Sequence, residues 1–400
     1  MSVRKLRLGV AGLGRAFTLM LPTLEADPRI ELVAAADPRA EATARFAAQF
    51  AGRAYSTMEQ LAGDPDVEVI YVATPHELHA AHAIVAAAAG KHVLVEKPIA
   101  LTLAECDAMI AASERAGVHL VVGHSHSFDR PYHRAREIIA SGSVGRVKMI
   151  NALYYTDFLY RPRRPEELVT ERGGGVLFSQ GAHQVDILRL LGGGRVASVR
   201  ALTGAWDPVR PSEGAYAALL TFENGAFATI AYSGYAHFDG DALCGDISEM
   251  GLPKDPAGYG AMRRTLRETV STEHEIALKN ARNYGGDAYL APTPSSEHAE
   301  APWHPHFGLV IVCCERGDLR TLPNGVMVYG DAEAHLDALA RPSIPRVEVI
   351  DELYAAIVSA RPPLHSARWA KATLEVVLAL LESARVQRDV PLAYQVGVPE

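Results

Sequence analysis

The first part of the chain alternates short apolar runs with amphipathic, alanine-rich stretches. The stretches have the spacing of helices, and Gly90 and Gly117 end two of them. Repeated strand–helix alternation predicts a parallel sheet with helices on both faces, an α/β fold of the doubly wound Rossmann type. The predicted strands are a run that begins at Leu6 and the runs 30–36, 67–73, 92–95 and 118–123, and the predicted helices are 38–50, 77–89 and one that Thr102 caps.

The pattern changes after residue 124, where longer strand-like runs predominate. Asn224-Gly225 joins two of them and is a strong signal for a β-hairpin. The runs predict an α+β domain with a largely antiparallel open sheet. The predicted strands are 146–155, 196–205, 215–223, 226–235, 309–314 and 325–329, and the predicted helices are 131–141, 176–191, 346–360 and 366–385.

Two domains follow from this change of pattern. We expect a doubly wound domain at 1–124 and an α+β domain at 125–400. The second domain contains an irregular insertion at 240–306 and closing helices at 346–385. Prolines make 285–306 a predicted loop or lid.

Composition narrows the partners and the location. The formal net charge of −8 argues against a general affinity for nucleic acid or anionic membranes, and no apolar run approaches the ~20 residues that span a bilayer. The cysteines form no C-x-x-C pair and no disulfide framework, which favours a reducing cytoplasm. The histidine pairs 124/126 and 304/306 lack an acid or cysteine at ligand spacing, so no metal site is predicted.

A glycine turn follows the first strand. Gly12 allows a tight turn, Gly14 lets the backbone approach a pyrophosphate, and the next helix points its N-terminus at that negative charge. Asp37 ends the second strand and suits a ribose diol. It favours NAD because it would repel a 2′-phosphate, while Arg39 leaves NADP open. The predicted cofactor-binding residues at this turn are Gly12, Gly14, Arg15, Ala16, Asp37 and Phe17, which replaces the third glycine of the fingerprint.

Several polar residues share one edge of the predicted parallel sheet. Thr74, Lys97 and His124 directly follow strands, as Gly12 and Asp37 do. Ligands of such sheets bind beyond the carboxyl ends of the strands. We therefore expect the active site at this edge.

Two longer motifs resemble the glucose–fructose oxidoreductase/inositol dehydrogenase family. They are the run 89–98, which ends in Glu96-Lys97-Pro98, and the run 173–186, which begins with three glycines. The resemblance extends to the closing helix around 370–375. It implies a Rossmann domain followed by an open mixed sheet, a nicotinamide at the junction of the two domains, and a homodimer or homotetramer built on the outer face of the sheet.

The resemblance also implies roles for single residues. Lys97 matches the family lysine that faces the substrate hydroxyl, and the peptide before Pro98 is often cis in this family. His183 matches an acid/base or substrate-binding histidine. Ser179 stands where most members carry aspartate, which counts against a sugar or inositol substrate. The implied cofactor contacts of these motifs are Thr74, Pro75, His76, His79, Glu96 and Lys97.

Lys97 and His183 are the candidate catalytic residues. Oxidation of a secondary alcohol needs a base for the hydroxyl proton, and burial beside a positive ring lowers the pKa of a lysine. Histidine titrates near neutral pH and can share the proton or hold the hydroxyl. Ser179, His183 and Asp186 lie at i, i+4 and i+7 of one predicted helix, which puts them on one face. Asp186 is expected to be structural.

Basic residues suggest the substrate. Arginine forks suit carboxylates, so the arginines are open to two interpretations: a small anionic substrate, or a solvated surface loop balanced by nearby glutamates. The predicted substrate-binding residues are His124, His126, Arg161, Arg163, Arg164, Ser179 and His183.

Further details at 12–17, 125–127, 178–183 and 306–308 resemble dehydrogenases of phthalate cis-dihydrodiols, the 4,5-dihydroxyphthalate dehydrogenases. This branch implies NAD(P)-dependent oxidation of a dicarboxylate diol, whose ketone product tautomerises to a catechol. The alternatives are a sugar or polyol dehydrogenase, a glycosidase that uses bound NAD transiently, and a non-catalytic NAD-binding regulator.

Overall fold

A computed structural model of the chain describes residues 3–258, 260–289 and 302–399. The chain forms two compact units. Unit 1 consists of Met1–His124, Ile276–Ala299 and Ile344–Lys371, and unit 2 consists of Ser125–Glu275, Glu300–Ser343 and Ala372–Glu400.

Unit 1 is built on a parallel sheet with the strand order β3-β2-β1-β4-β5-β6. The order reverses beside β1, which is where ligands of doubly wound sheets bind. The strands are β1 (Leu6–Ala11), β2 (Ile30–Ala36), β3 (Arg53–Tyr55), β4 (Val69–Val72), β5 (His92–Val95) and β6 (Leu120–Val122). The helices between them are α1 (Arg15–Ala26), α2 (Ala40–Phe50), α3 (Met58–Ala62), α4 (His79–Ala88) and α5 (Leu103–Ala116).

Local sequence explains these elements. All four residues of β4 are buried, as expected for a central strand covered on both faces. At the start of α5 the backbone N–H of Glu105 donates to the Thr102 hydroxyl (3.2 Å), and the Glu105 carboxylate accepts the Thr102 N–H (2.9 Å). This capping box fixes where the helix begins. Gly117 ends it in the left-handed region, with φ 65°.

Two later segments lie in unit 1 although the sequence-based division assigns them to the second domain. The Tyr284 hydroxyl donates to Gln49 (2.7 Å), and the Thr23 hydroxyl donates to the carbonyl of Pro345 (2.6 Å). The N–H of Val122 donates to the carbonyl of His365, in the segment Ile344–Lys371 (2.9 Å). Such contacts join residues hundreds of positions apart, which local periodicity does not report.

Unit 2 contains a mixed sheet with the order β14-β13-β12-β11-β7-β10-β9-β8-β15. The strands are β7 (Val147–Tyr155), β8 (Val196–Gly204), β9 (Ala215–Phe222), β10 (Phe227–Ser233), β11 (Leu309–Cys314), β12 (Asp318–Leu322), β13 (Gly325–Tyr329), β14 (Ala334–Ala338) and β15 (Val390–Pro391). The remaining α-helices among the described residues are α6 (Arg130–Ala140), α7 (Ala182–Gly192), α8 (Ala261–Arg267), α9 (Thr272–Ala281), α10 (Val347–Ser359) and α11 (Ala367–Val386).

The two faces of this sheet differ. β7 runs parallel to β10, and the hairpin β9–β10 is antiparallel, as Asn224-Gly225 predicts. Ile150 and Ala152 alternate inward, on the face where α7 packs against β7 and β10. On the opposite face Leu202, Leu219 and Phe227 are 56%, 42% and 42% exposed.

Some elements differ from the predictions. The helix predicted at 176–191 begins with a π-helical turn, Leu177–Gly181, before α7. The wider turn changes the angular phase of Ser179 relative to His183, so the simple i, i+4 spacing does not describe this pair. Sequence reasoning missed β3, β12 and β14, because these strands are short and their polar or exposed residues hide the alternation.

The predicted insertion contains helical turns at Gly240–Cys244 and Pro256–Gly258 in addition to α8 and α9. Residues 290–301 of the predicted loop or lid lie outside the described residues. Within the described part of the chain, no helix is both long enough and apolar enough to cross a membrane.

Candidate active site

The turn after β1 has the geometry of a phosphate cradle. Gly12 has φ 92°, and a Cβ added there would lie 2.8 Å from the carbonyl oxygen of Ala73, so only glycine fits. Gly14 begins α1, which has no side-chain cap and no acid in its first turn. N–H groups at such a helix end suit a phosphate. The turn therefore fits a dinucleotide, with the exposed Arg15 and the half-buried Ala16 beside it.

Phe17 takes part in an aromatic cluster in place of the third glycine. Its ring lies 5.2 Å from that of Tyr284, edge-on, and 6.3 Å from that of Phe46. The aromatic ring thus supplies the packing between α1 and its neighbours that a glycine would otherwise permit by close approach.

Asp37 is buried and its carboxylate is held on both sides. The N–H of Leu13 donates to Oδ2 (2.8 Å), and the N–H and Nε of Arg39 donate to Oδ1 (2.9 and 3.0 Å). The Arg39 guanidinium also donates to the carbonyl of Leu13 (2.8 Å). Arg39 therefore lies alongside Asp37 and offsets its charge at the end of β2.

His79 links the loops that follow β4 and β5. Its Nδ1 lies 2.8 Å from the carbonyl oxygen of Pro98, and its Nε2 lies 2.9 Å from that of Thr74. Burial lowers the pKa of His79, and the two carbonyls only partly oppose this. The two contacts of His79 hold the loop that carries Lys97, which is half-buried. The Lys97–Pro98 peptide is cis, as the resemblance implies. Pro75 and His76 open a short helical turn in the first of these loops.

Glu96 is held by a residue that sequence reasoning missed. The Tyr71 hydroxyl of β4 donates to Glu96 Oε1 at 2.5 Å. Burial raises the pKa of Glu96, against the lowering effect of this hydrogen bond and of the charge on Lys97. No spacing in the sequence pairs residues 71 and 96; only the adjacency of β4 and β5 does so.

His183 and His126 are neighbours in unit 2. The backbone N–H of His126 donates to Nδ1 of His183 (3.3 Å), and the two rings lie 4.8 Å apart. The Nδ1 of His126 lies 2.6 Å from the carboxylate of Asp129. Because Nδ1 of His183 accepts a hydrogen bond, the neutral ring carries its proton on Nε2. Both histidines are buried, and so is His124, at the end of unit 1.

Asp186 is part of a buried polar network on α7. It accepts hydrogen bonds from the hydroxyls of Ser127 and Thr373, the second at 2.7 Å. The fully buried Arg189 donates to the same Thr373 hydroxyl (2.7 Å). These contacts fix the loop that carries His126 against α7, which supports the structural role expected for Asp186.

Glu213 anchors the start of the helix that leads to Ser179. Its carboxylate accepts the N–H of Leu177 (3.1 Å) and the hydroxyl of Thr170. A Cβ on Gly175 would lie 2.1 Å from Glu213 Oε1, so the glycine makes room for the carboxylate. Burial raises the pKa of Glu213. Ser179 itself is half-buried in the π-helical turn.

The three predicted substrate arginines have different surroundings. The Arg163 guanidinium lies 3.6 Å above the Phe158 ring and donates to the Phe158 carbonyl (2.8 Å). The N–H of Arg164 donates to Glu167 (2.8 Å), which starts a short helical turn. Arg161 instead lines a cavity of about 290 Å³ at the end of β7, where it meets Glu249 at 3.4 Å.

Comparison with known proteins places the chain among nicotinamide-dependent enzymes. Residues 6–124 match the family described as "Oxidoreductase family, NAD-binding Rossmann fold" and residues 132–244 match "GFO/IDH/MocA C-terminal domain". The chain is 46% identical over 381 residues, 95% of both proteins, to 1-carboxy-3-chloro-3,4-dihydroxycyclohexa-1,5-diene dehydrogenase of Comamonas testosteroni.

Two further similarities point the same way. The chain is 34% identical over 194 residues, 47% of its length and 56% of the relative, to trans-1,2-dihydrobenzene-1,2-diol dehydrogenase of Mus musculus. Its fold matches the crystal structure of a protein described as a dehydrogenase, from Bordetella bronchiseptica RB50, with a TM-score of 0.90 and 43% identity over 97% of this chain and 100% of that one.

Proposed function

Because this chain belongs to the Gfo/Idh/MocA oxidoreductase family, with its NAD-binding Rossmann fold, we propose that it is an NAD-dependent dehydrogenase of a carboxylated ring diol. The observation that carries the choice of substrate is the similarity to the Comamonas diene dehydrogenase over 95% of both chains. Ser179, where the resemblance implies an aspartate in most members, supports it. Arg161 beside a small cavity supports a carboxylate on the ring.

Lys97 is the principal base in this proposal. Bound NAD supplies the hydride acceptor, and the protein must remove the hydroxyl proton. A lysine at the end of β5, held by the loop that His79 fixes, is suited to take it. General base help of this kind contributes about 10²–10⁴-fold to the rate.

His183 has a different role in the proposal. The hydrogen bond from the N–H of His126 to Nδ1 leaves the neutral ring with an N–H at Nε2. A nitrogen that carries a proton donates a hydrogen bond and does not accept a proton. His183 therefore holds the substrate oxygen and stabilises it as the proton leaves, while Lys97 acts as the base.

The reaction then proceeds to an aromatic product. One hydroxyl loses its proton to the base and its carbon loses a hydride, which gives a ketone. The ketone of a ring diene diol tautomerises to a catechol, so aromatisation favours oxidation.

The experiment is a spectrophotometric assay for NADH with the purified protein and NAD. Cis-dihydrodiols of benzoate and phthalate are compared with polyols, sugars and hydroxy acids. We expect turnover with the carboxylated diols at a kcat/KM well above that of any polyol or sugar. NADH formation only with a polyol or sugar, or glycoside hydrolysis without NADH release, would contradict the proposal.

We also propose that the chain forms a homodimer or homotetramer through the exposed face of the unit 2 sheet. Leu202, Leu219 and Phe227 lie on the neighbouring strands β8, β9 and β10 of that face, and Leu219 pairs with Arg200 and Thr229. An exposed apolar patch on a sheet supports a contact with a second copy.

A further inference from the structure

A small cavity in unit 2 is lined by two parts of the chain, one inside the stretch that matches the family and one beyond it. Its volume of about 290 Å³ is at the low end of the range for ligand pockets and suits one ring. One wall comes from Tyr154, Thr156 and Arg161, inside the stretch 132–244 that matches the family. The other wall includes Glu249 and Lys254, which lie beyond that stretch.

The cations at this cavity are not equally available. Lys254 lies between two acids, with its Nζ 2.5 Å from Asp239 and 2.8 Å from Asp241. The Arg161 guanidinium meets Glu249 at a long 3.4 Å and also lies over the Phe158 ring, 5.4 Å from its centre. A full arginine–carboxylate pair has two parallel hydrogen bonds at about 2.7–2.9 Å. Arg161 is therefore the cation at this cavity that is best placed to take a new carboxylate.

The Arg161–Glu249 pair is within reach of a ligand. The two side chains are 35% and 25% exposed. Burial alone would raise the pKa of Glu249, but the positive charges of Arg161 and His126 outweigh it and lower that pKa to about 2. Glu249 is therefore an anion at any working pH. The Phe307 ring lies 5.1 Å from that of Tyr154, which lines the cavity, and 5.0 Å from the rings of His126 and His183, so the cavity adjoins the His126–His183 pair.

Resting on the proposed function, we propose that Glu249 is the resident counter-ion of Arg161 and that the ring carboxylate of the substrate replaces it. Binding then exchanges one carboxylate for another, and Arg161 keeps a partner throughout. A neutral ring either leaves Glu249 in its place inside the cavity or leaves a guanidinium without a partner. Both are unfavourable, which selects for carboxylated rings.

The test measures binding and needs no turnover. The probes are benzoate and benzamide, which share a ring and differ in charge, titrated into the NAD-loaded protein by ligand-observed NMR. We expect wild type to prefer benzoate. Glu249→Gln removes the competitor, so the Kd for benzoate falls by about 3- to 10-fold and that for benzamide stays unchanged. Arg161→Ala raises the Kd for benzoate by about 10- to 100-fold and abolishes the preference.

Two controls separate this mechanism from general charge and from misfolding. Glu223→Gln removes one charge from an exposed hairpin and should change neither Kd. Arg161→Lys keeps the charge without the fork and should give an intermediate Kd for benzoate. Melting temperatures check that each variant folds.

The inference is overturned if Glu249→Gln leaves the Kd for benzoate unchanged or raises it, or if Arg161→Ala keeps the preference. Because binding is measured directly, absence of diol oxidation would remove the proposed function without affecting this result. Conversely, diol oxidation with no benzoate preference would keep the dehydrogenase and remove the role of Glu249.

Discussion

At the scale of single residues, the division of labour between Lys97 and His183 depends on one hydrogen bond. The N–H of His126 donates to Nδ1 of His183 and thereby puts the proton of the neutral ring on Nε2. The sequence motif could place an imidazole in unit 2 but could not choose its tautomer. That choice makes His183 a donor to the substrate oxygen in our proposal and leaves proton removal to Lys97.

We expect Lys97→Ala to lower kcat for the diol by about 10²–10⁴-fold, because the reaction then lacks its base. The Kd for NAD should stay within about twofold of wild type, since we assign that affinity to the glycine turn. Stopped assays of NADH formation and a fluorescence titration with NADH measure the two quantities. Lys5→Ala, at an exposed lysine, is the matched control. Retention of most of kcat in Lys97→Ala would show that another group is the base.

His183→Gln and His183→Ala distinguish a donor from a base. A glutamine amide can donate a hydrogen bond but cannot accept a proton at neutral pH. We therefore expect His183→Gln to keep about a tenth of wild-type kcat/KM and His183→Ala to fall about tenfold further. Equal loss in both variants would assign proton removal to His183.

At the scale of elements, the turn after β1 contains two glycines to which we assign different roles, Gly12 in folding and Gly14 in cofactor binding. Gly12 is positioned for the turn itself, with a positive φ and the Ala73 carbonyl close by. Gly14 has an ordinary φ of −84°, and a Cβ added there would meet no atom of another residue within 4 Å apart from its chain neighbours. The space beside Gly14 is therefore open for a ligand.

We expect Gly12→Ala to lower the stability of the protein by about 1–3 kcal/mol, because alanine would be strained there and would meet a backbone carbonyl. Gly14→Ala should leave the melting temperature unchanged and weaken NAD binding, because its methyl group would occupy the space of the pyrophosphate. Thermal melts with and without NAD test both. Equal melting temperatures for the two variants without NAD would contradict this assignment.

The segment that contains Glu249 makes a pH-dependent contribution to the free energy of unfolding. The pKa of Glu249 in the folded protein is lowered to about 2, so its stabilising effect is present above the pKa of an unfolded glutamate and is lost as the pH falls toward 2. We expect wild type to exceed Glu249→Gln by about 1–2 kcal/mol in free energy of unfolding at pH 7. The difference should shrink below about pH 4. Urea unfolding at several pH values measures it, and a difference that does not depend on pH would contradict the ion pair.

At the scale of the whole molecule, the described residues form two units, and each draws on distant parts of the chain. Unit 1 includes Tyr284, which packs on Phe17, and unit 2 includes Thr373, which binds Asp186. The exposed apolar side chains Leu202, Leu219 and Phe227 of the unit 2 sheet also concern the whole molecule, because we propose that they contact a second copy of the chain.

We expect the combined variant Leu219→Glu and Phe227→Glu to dissociate the proposed oligomer, because two charges would be desolvated in the proposed contact. Light scattering after size-exclusion chromatography gives the mass. Val270→Glu, at a residue that is 88% exposed outside the sheet, is the control and should keep the wild-type mass. A wild-type protein that is monomeric, or a double variant that stays assembled, would refute the proposed interface.

The sequence alone determined what depends on neighbours within a few positions. The strand–helix alternation, the glycine turn, the Thr102–Glu105 capping box and the Asn224-Gly225 hairpin are set by local backbone geometry and periodicity, so they could be predicted. The two longer motifs identified Lys97 and His183 as candidates.

Tertiary structure decided which groups meet. Tyr71 reaches Glu96 only because β4 and β5 are adjacent, and Arg161 meets Glu249 across 88 positions of sequence while Arg163 turns onto Phe158. Three arginines in one loop are equivalent in sequence because each carries the same charge and reach. Burial and the partners supplied by distant segments make them different, since the energy of a charged group depends on what surrounds it in space.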